Sequence, residues 1–319
     1  MIHHLHFFKP LLFIFFIFLS SPLFAENQEQ QANQDITQLY HHLKNQSIPD
    51  MSTRIERISR AFLGKPYLLG SLGEGAQGHY DQSPLYRTDA FDCETFVDTV
   101  LALAIATDQM QFKHMMNQIR YRNGLVSFTS RNHFTCLDWN RNNQRQGFVK
   151  DITTTIRDKN NKEVARFARA LIDKPAWYQH MTDTQIHIQG LDAKQKQKRL
   201  HTLQQEGAQL PKSTSTIPYI PLSILFDRNG QANPYLFHQI PNAAIIEIVR
   251  PNWDLTPQIG THLNISHLGF AFWKKDVLIF REASSTHGQV VDVSLIDYLR
   301  DTIKSPTIKG INIQIVLPK

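Results

Sequence analysis

The chain has 319 residues, 41% of them hydrophobic and 19% charged, with a formal net charge of +6. That composition excludes a disordered or fibrous protein and fits one large globular domain or two ordinary ones. The positive surplus is small and spread, the densest run being the mixed KQKQKRLH, so no nucleic-acid partner is expected, because such binders concentrate their Lys and Arg.

The opening MIHHLHFFKPLLFIFFIFLSSPLFA carries Lys9, an apolar run over residues 11–19, then Ser-Ser-Pro and a small residue, Ala25. This is the pattern of a secretion signal over residues 1–25, cleaved after Ala25. The run falls short of the ~20 residues of a membrane span. A periplasmic or secreted protein is expected, with no membrane attachment after cleavage. Leu23 at the third position before the cut keeps a retained anchor as the alternative.

Residues 26–50 are polar and rich in Gln and Asn, with a short helix expected through Ile36 and Leu39. Residues 51–319 read as a single domain with insertions at about 108–240. In MSTRIERISRAFLGKPY, Ser52 can cap a helix whose buried face is Ile55, Ile58, Ala61 and Phe62, and Gly64 and Pro66 end it. LGSLGEGAQGHYDQSPLYR is a Gly-rich loop. It lacks the G-K-[ST] and the preceding strand of a phosphate cradle.

FDCETFVDTV comes next. Phe96, Val97, Val100, Leu101 and Ala104 share one helical face with Cys93. Asp89 or Asp92 can cap this helix, and Glu94 lies in its first turn. Cys93 therefore stands at the positive end of a helix dipole, which should lower its pKa. The chain has one other cysteine, Cys136, and an exported protein can form disulfides. On this count a bridge and a nucleophile are equally open.

Residues 110–150 look loop-like. EVARFARALIDKPAWYQHM reads as helix up to Pro175, LDAKQKQKRLHTLQQEGAQ as a solvated helix, and QLPKSTSTIPYIP as a connector. From Ala243 the texture turns to strands: AAIIEIV, ISHLGFAFW, VLIFREAS, QVVDV and INIQIVLP, with a helix SLIDYLRDTI before the last. Helices followed by a strand-rich third predict an α+β fold with an antiparallel sheet.

A thiol nucleophile needs a base, and the base needs a group to hold its ring. Among 15 histidines, His267 stands out at the start of a strand with Gly269 beside it. The next strand ends in Glu282, and the two-residue turn Lys275-Asp276 would make a hairpin in which His267 and Glu282 face each other. Taken singly, His267 is more often a satisfied strand histidine and Glu282 a solvated strand end. There is no H-E-x-x-H or C-x-x-C, and His41-His42 lack a third partner, so neither a metal nor another cofactor is expected.

These motifs together resemble the NlpC-type papain-like cysteine hydrolases of bacterial cell walls. Those carry G-x-x-Y-x-x-G before a D-C helix start, then H-x-G on the sheet, then a polar residue on the next strand. Here the matches are Gly64, Tyr67 and Gly70, then Asp92-Cys93, then His267-Leu268-Gly269, then Glu282. FDCETFV, GSLGEG and SRNHF-x-x-x-DW resemble more closely the N-acetylmuramoyl-L-alanine amidase-like branch, over about residues 54–316.

The resemblance implies a papain-like fold, with the nucleophile on a helix N-terminus packed on an antiparallel sheet, and large insertions between Cys93 and His267. It implies Cys93 as nucleophile, His267 as base and Glu282 as the orienting residue, where relatives more often have His, Asn or Gln. Tyr67 would assist the Cys93 N–H at the oxyanion, next to Asp92. Arg131, Asn132, His133, Trp139 and Ser266 are candidate substrate contacts, an ordinary packed loop being the other reading of the Arg131–Trp139 stretch. The implied partner is a peptidoglycan fragment, cut between N-acetylmuramic acid and L-alanine. A D-glutamyl–diamino acid endopeptidase and a non-catalytic peptidoglycan-binding module are the alternatives. The resemblance also makes a disulfide at Cys93 an inferior reading and leaves Cys136 as a spare buried thiol.

Overall fold

The computed structural model describes residues 22–318, with side chains from Ala25 onward. The signal read over residues 1–25 thus lies almost wholly outside the described residues. No described helix is long and apolar enough to cross a membrane.

The described strands are β1 (Val149–Asp151), β2 (Arg166–Ile172), β3 (Ser213–Pro221), β4 (Ala244–Leu255), β5 (Thr261–Lys274), β6 (Val277–Ser284), β7 (Gln289–Ser294) and β8 (Gly310–Val316). They form one sheet in the order β2-β3-β8-β4-β5-β6-β7, with β1 added on β8. Every pairing is antiparallel. The expected α+β class with an antiparallel sheet is what the chain adopts.

Helix α1 (Pro22–Lys44) is much longer than the short helix expected from its polar composition. Its apolar side is one narrow stripe, Ala32, Ile36, Tyr40 and Leu43, at helical spacing, and all four are buried in the main core. Polar residues of α1 also hold the following loop. Glu29 accepts from the Leu85 N–H at 2.8 Å, Asn33 from the Tyr86 hydroxyl at 3.0 Å and Asp35 from the Thr88 hydroxyl at 2.6 Å.

Helix α2 (Met51–Arg60) is capped by Asp50, whose carboxylate accepts from the Thr53 N–H. Ser52, the expected cap, instead donates its hydroxyl to Asp50. Helix α3 (Cys93–Ile105) begins at the cysteine under an Asp92/Thr95 capping box. Its residues from Thr95 to Ala104 are all buried, so α3 is enclosed on every side by α2, α4 (Gln109–Arg120) and β5.

Residues 108–240 depart from the sequence reading in four places. Residues 109–120 form α4, and helical turns return at Thr135–Trp139 and Asn140–Arg145, so only the stretch between is loop-like. Residues 166–172 form strand β2, with Ala168, Ala170 and Ile172 turned inward and their neighbours outward, a period of two. Pro175 opens helix α5 (Lys174–Gln179), where a missing N–H costs nothing. The connector read at QLPKSTSTIPYIP is strand β3, joining β2 to β8. The solvated helix is present as α6 (Ala193–Ala208).

Two buried ionisable side chains, Arg281 and Glu247, lie within the sheet. Arg281 on β6 is fully buried and reaches Asp292 on β7 with Nε and Nη2 at 2.6 and 2.9 Å. Its Nη1 bonds the Glu56 carbonyl and the Ser59 hydroxyl of α2, and the guanidinium lies over Phe272 at 4.9 Å. One side chain therefore ties two strands to a helix.

Glu247 on β4 is fully buried and accepts from Asn140 and Gln314. Burial outweighs those donors and pushes its carboxyl up to about 8. An acid raised in the folded state stabilises the fold below its unfolded value of about 4.5. That stabilisation is lost as pH rises toward 8, at about 1.4 kcal/mol per pH unit. Glu247→Gln should therefore flatten the fall in melting temperature between pH 5 and pH 8. An unchanged pH slope in thermal melts would show that Glu247 is ionised in the fold.

Candidate active site

The start of α3 is fixed by one carboxylate. Asp92 Oδ1 accepts from the Thr95 N–H at 2.8 Å, and Oδ2 accepts from the Gly70 N–H at 2.9 Å. Gly70 has φ +65°, a left-handed turn that glycine adopts at no steric cost. The segment from Gly64 to Gly70 is held on its other side by Tyr67 N–H to the Gly288 carbonyl and by Leu68 N–H to the Phe91 carbonyl. Tyr67 is thereby set beside the cysteine. Its hydroxyl pKa is raised by burial first, then by the charges of Cys93, Asp92 and Glu282.

On the sheet, β5 and β6 join through the two-residue turn Lys275-Asp276, with Lys275 at φ +55°. The hairpin is the one expected, but its register differs. Phe270 pairs with Arg281, so one step further Gly269 falls opposite Glu282 and His267 lies diagonal to it on the same face. Gly269 is needed there: a Cβ would stand 2.6 Å from the Arg281 carbonyl oxygen and 2.8 Å from the Phe280 ring.

The diagonal pair still meets. His267 Nε2 touches Glu282 Oε2, off the direction of a regular ring hydrogen bond. The imidazole stacks on Tyr298 at 6.3 Å and meets Phe280 edge-on at 5.8 Å. The Tyr298 hydroxyl pKa is raised by burial, then by Glu282 and Cys93. Tyr67 and Tyr298 thus both sense Cys93 and Glu282, and Glu282 touches His267. These five side chains converge where the α3 N-terminus meets the β5–β6 hairpin.

The sulfur itself does not behave as the dipole argument expects. Backbone N–H groups of Leu268 and Glu94 point at it and favour the thiolate. Burial, followed by the adjacent carboxyls of Asp92 and Glu94, outweighs them and raises the thiol pKa. Cys93 is therefore held as a thiol. Both cysteines are free, so no bridge joins Cys93 to Cys136, and Cys136 is buried.

This has a direct readout. Iodoacetamide should label Cys93 at pH 7 at least about tenfold more slowly than free cysteine, the rate climbing steadily above pH 9. Labelling that plateaus below pH 8, followed by mass spectrometry, would mean a preformed thiolate.

The family model for AmiA-like, N-acetylmuramoyl-L-alanine amidase-like proteins matches residues 57–308. The chain belongs to this family. A crystal structure of a Legionella pneumophila protein assigned to DUF1460 is 53% identical, covering 92% of this chain and 97% of that one at TM-score 0.89. Two crystal structures named N-acetylmuramoyl-L-alanine amidase, from Bacteroides uniformis, share its fold. One is 22% identical at TM-score 0.59, over 83% of this chain and 98% of that one. The other is 24% identical at TM-score 0.56, over 84% and 98%. No curated protein matches the sequence.

In this amidase-like chain the side chains from Arg131 to Trp139 are largely engaged with the chain's own interior. Arg131 gives both amino groups to Asp81 of the chain itself at 3.1 Å. Asn132 is buried and donates to the Ile119 carbonyl. His133 bonds the Phe128 carbonyl and packs between Phe128 and Trp177, and burial drives its pKa well below the usual histidine range. Trp139 is 0% exposed, so it offers no face to a sugar, and its indole N–H donates to Asp98 at 2.6 Å.

That bond belongs to a polar cluster under helix α3. Glu94 accepts from the Thr135 hydroxyl at 2.7 Å, and Arg120 approaches Asp98 at 3.5 Å. Burial raises both acids, Asp98 to about 7. Ser266, the last candidate contact, receives a hydrogen bond from Arg250. Sequence reasoning missed Tyr298 and Arg250. Among the described residues no group of three or more His, Cys, Asp and Glu is arranged to hold a metal.

Proposed function

We propose that this protein is an exported cysteine amidase of the papain-like NlpC type that hydrolyses the N-acetylmuramoyl–L-alanine amide bond of peptidoglycan fragments. The observation that carries the reading is the convergence of Cys93, at a capped helix start, with the His267–Glu282 contact and two half-buried tyrosines. The amidase-like family supports the bond, and the signal-like opening of the sequence supports export.

In this reading His267 takes the thiol proton as the sulfur attacks the lactyl carbonyl carbon. A base acting during attack suits a cysteine that rests protonated. Glu282 steadies the imidazolium. The negative oxygen of the tetrahedral intermediate lies against the Cys93 backbone N–H, with the Tyr67 hydroxyl as second donor. Collapse breaks the C–N bond, and His267 returns its proton to the amine of L-alanine. Water then cleaves the thioester by the reverse roles and frees the muramic carboxylate and the thiol.

Mass spectrometry of purified muropeptides after incubation tests this. An amidase releases a peptide beginning with L-alanine and a sugar without peptide. A shorter peptide beginning at the diamino acid would instead identify a D-glutamyl–diamino acid endopeptidase. Intact muropeptides that nevertheless bind would identify a binding module.

A further inference from the structure

Arg250 differs from the arginines of this chain that are buried against an acid. Arg281, Arg131, Arg120 and Arg87 each face an acid, respectively Asp292, Asp81, Asp98 and Asp89. Arg54 instead caps the C-terminal carbonyls of α3. Arg250 is half-buried and has no carboxylate partner among the described residues. Its Nε donates to the Ser266 hydroxyl and its Nη1 to the Thr307 hydroxyl, both at 3.1 Å. Its guanidinium lies over the Trp253 ring at 4.2 Å. Nη2 bonds nothing among the described residues. A guanidinium oriented by two neutral hydroxyls and an aromatic face keeps its full charge for an anion from outside.

Its place in the fold points the same way. The β4–β5 ladder breaks between Val249 and Trp253, so that residues 250–252 stand out of register. Asn252 takes φ +50°, and its N–H is accepted by the buried Asn264 side chain at 3.0 Å, which fixes the bulge. Bulges re-aim side chains next to active sites. This one aims Arg250 at Ser266, the residue before His267. Arg250 also acts electrostatically on Tyr298, whose ring stacks on that histidine.

We propose that Arg250, seated on Trp253 and oriented by Ser266 and Thr307, binds a carboxylate of the substrate's acidic stem peptide beside the scissile bond. The inference rests on the amidase reading above. In that reading the first free carboxylate on the leaving-amine side belongs to the second stem residue, a glutamate joined through its side chain. Arg250 thereby makes an acidic stem a better substrate than its amidated counterpart, because the amide cannot form the charge-assisted fork.

The test uses the full chain as wild type, Arg250→Met and Arg250→Lys. The substrates are paired muropeptides differing only in whether the second-residue carboxylate is free or amidated. Wild type is expected to favour the free acid by about 10- to 100-fold in kcat/KM, mostly through KM. Arg250→Met should treat both alike, and Arg250→Lys should keep part of the preference. A wild type with no preference, or Arg250→Met retaining the full preference, overturns the proposal while leaving the amidase reading intact. If wild type cuts neither muropeptide, it is the amidase reading that fails. Calorimetric binding of L-alanyl-γ-D-glutamate and its α-amide to wild type and Arg250→Met then decides Arg250 separately. Equal affinities of wild type for the two peptides would overturn it, and a preference lost in Arg250→Met would support it.

Discussion

Cys93→Ala is expected to reduce muropeptide hydrolysis by about ten-thousand-fold or more, because the covalent route disappears with the sulfur. The fold should survive. Asp92 caps α3 through Thr95 and Gly70, not through the thiol, and alanine favours a first helical turn. Circular dichroism and a thermal melt close to wild type would establish this. His267→Ala should cost a comparable factor, and the double variant little more than either alone, since groups that act as a unit are not additive. Residual turnover within tenfold of wild type in properly folded Cys93→Ala would remove the nucleophile and the mechanism with it.

Arg281→Met is expected to destabilise the protein by about 3–5 kcal/mol, the largest single stability effect in the sheet. Methionine roughly fills the aliphatic space. It leaves Asp292 with only Lys274 and removes the guanidinium donor from the Ser59 hydroxyl and the Glu56 carbonyl, the latter keeping only its bond from Ser59 and the helix. For a chain of this size that corresponds to a melting temperature lower by about 10 °C. Arg60→Ala is the control. Arg60 is largely exposed and pairs with Glu56 one turn away, an arrangement worth about 0.5 kcal/mol. Similar losses in the two variants would show that burial does not amplify the Arg281 contacts.

The parts of the fold legible in the sequence are those where one period dominates. Helix α3 and strands β4 to β8 were expected close to their observed places, since each presents a clean apolar pattern against the main core. Strand β2 reads as a helix because the two arginines of RFARALI stand three residues apart, a helical spacing, and only pairing with β3 selects the extended form. Helix α1 was underestimated because its buried stripe is a single file within a polar surface.

The site divides in the same way. Cys93, His267 and Glu282 carry short local motifs, and the structure brings them to one junction. Arg250 and Tyr298 carry none. A bulge delivers the first, and the second comes from the helix Leu295–Thr302 beyond β7. The stretch around Arg131 and Trp139 shows the converse, since polar and aromatic residues read alike whether they face a ligand or the chain's own interior. For the sulfur, the helix dipole is outweighed first by burial, which the local motif does not show, and then by the flanking carboxyls of Asp-Cys-Glu.

Anyone trimming this protein to a minimal hydrolytic unit would be tempted to begin at Met51, where the sequence first looks globular. The docking of α1 argues for an earlier boundary. Its apolar stripe plugs the core behind α3, and Glu29, Asn33 and Asp35 tether the strip of chain that runs into the cysteine. A shortened version would leave a greasy trench open and the approach to the sulfur slack, so the Gln-rich leader belongs in any expression plasmid or graft of this scaffold.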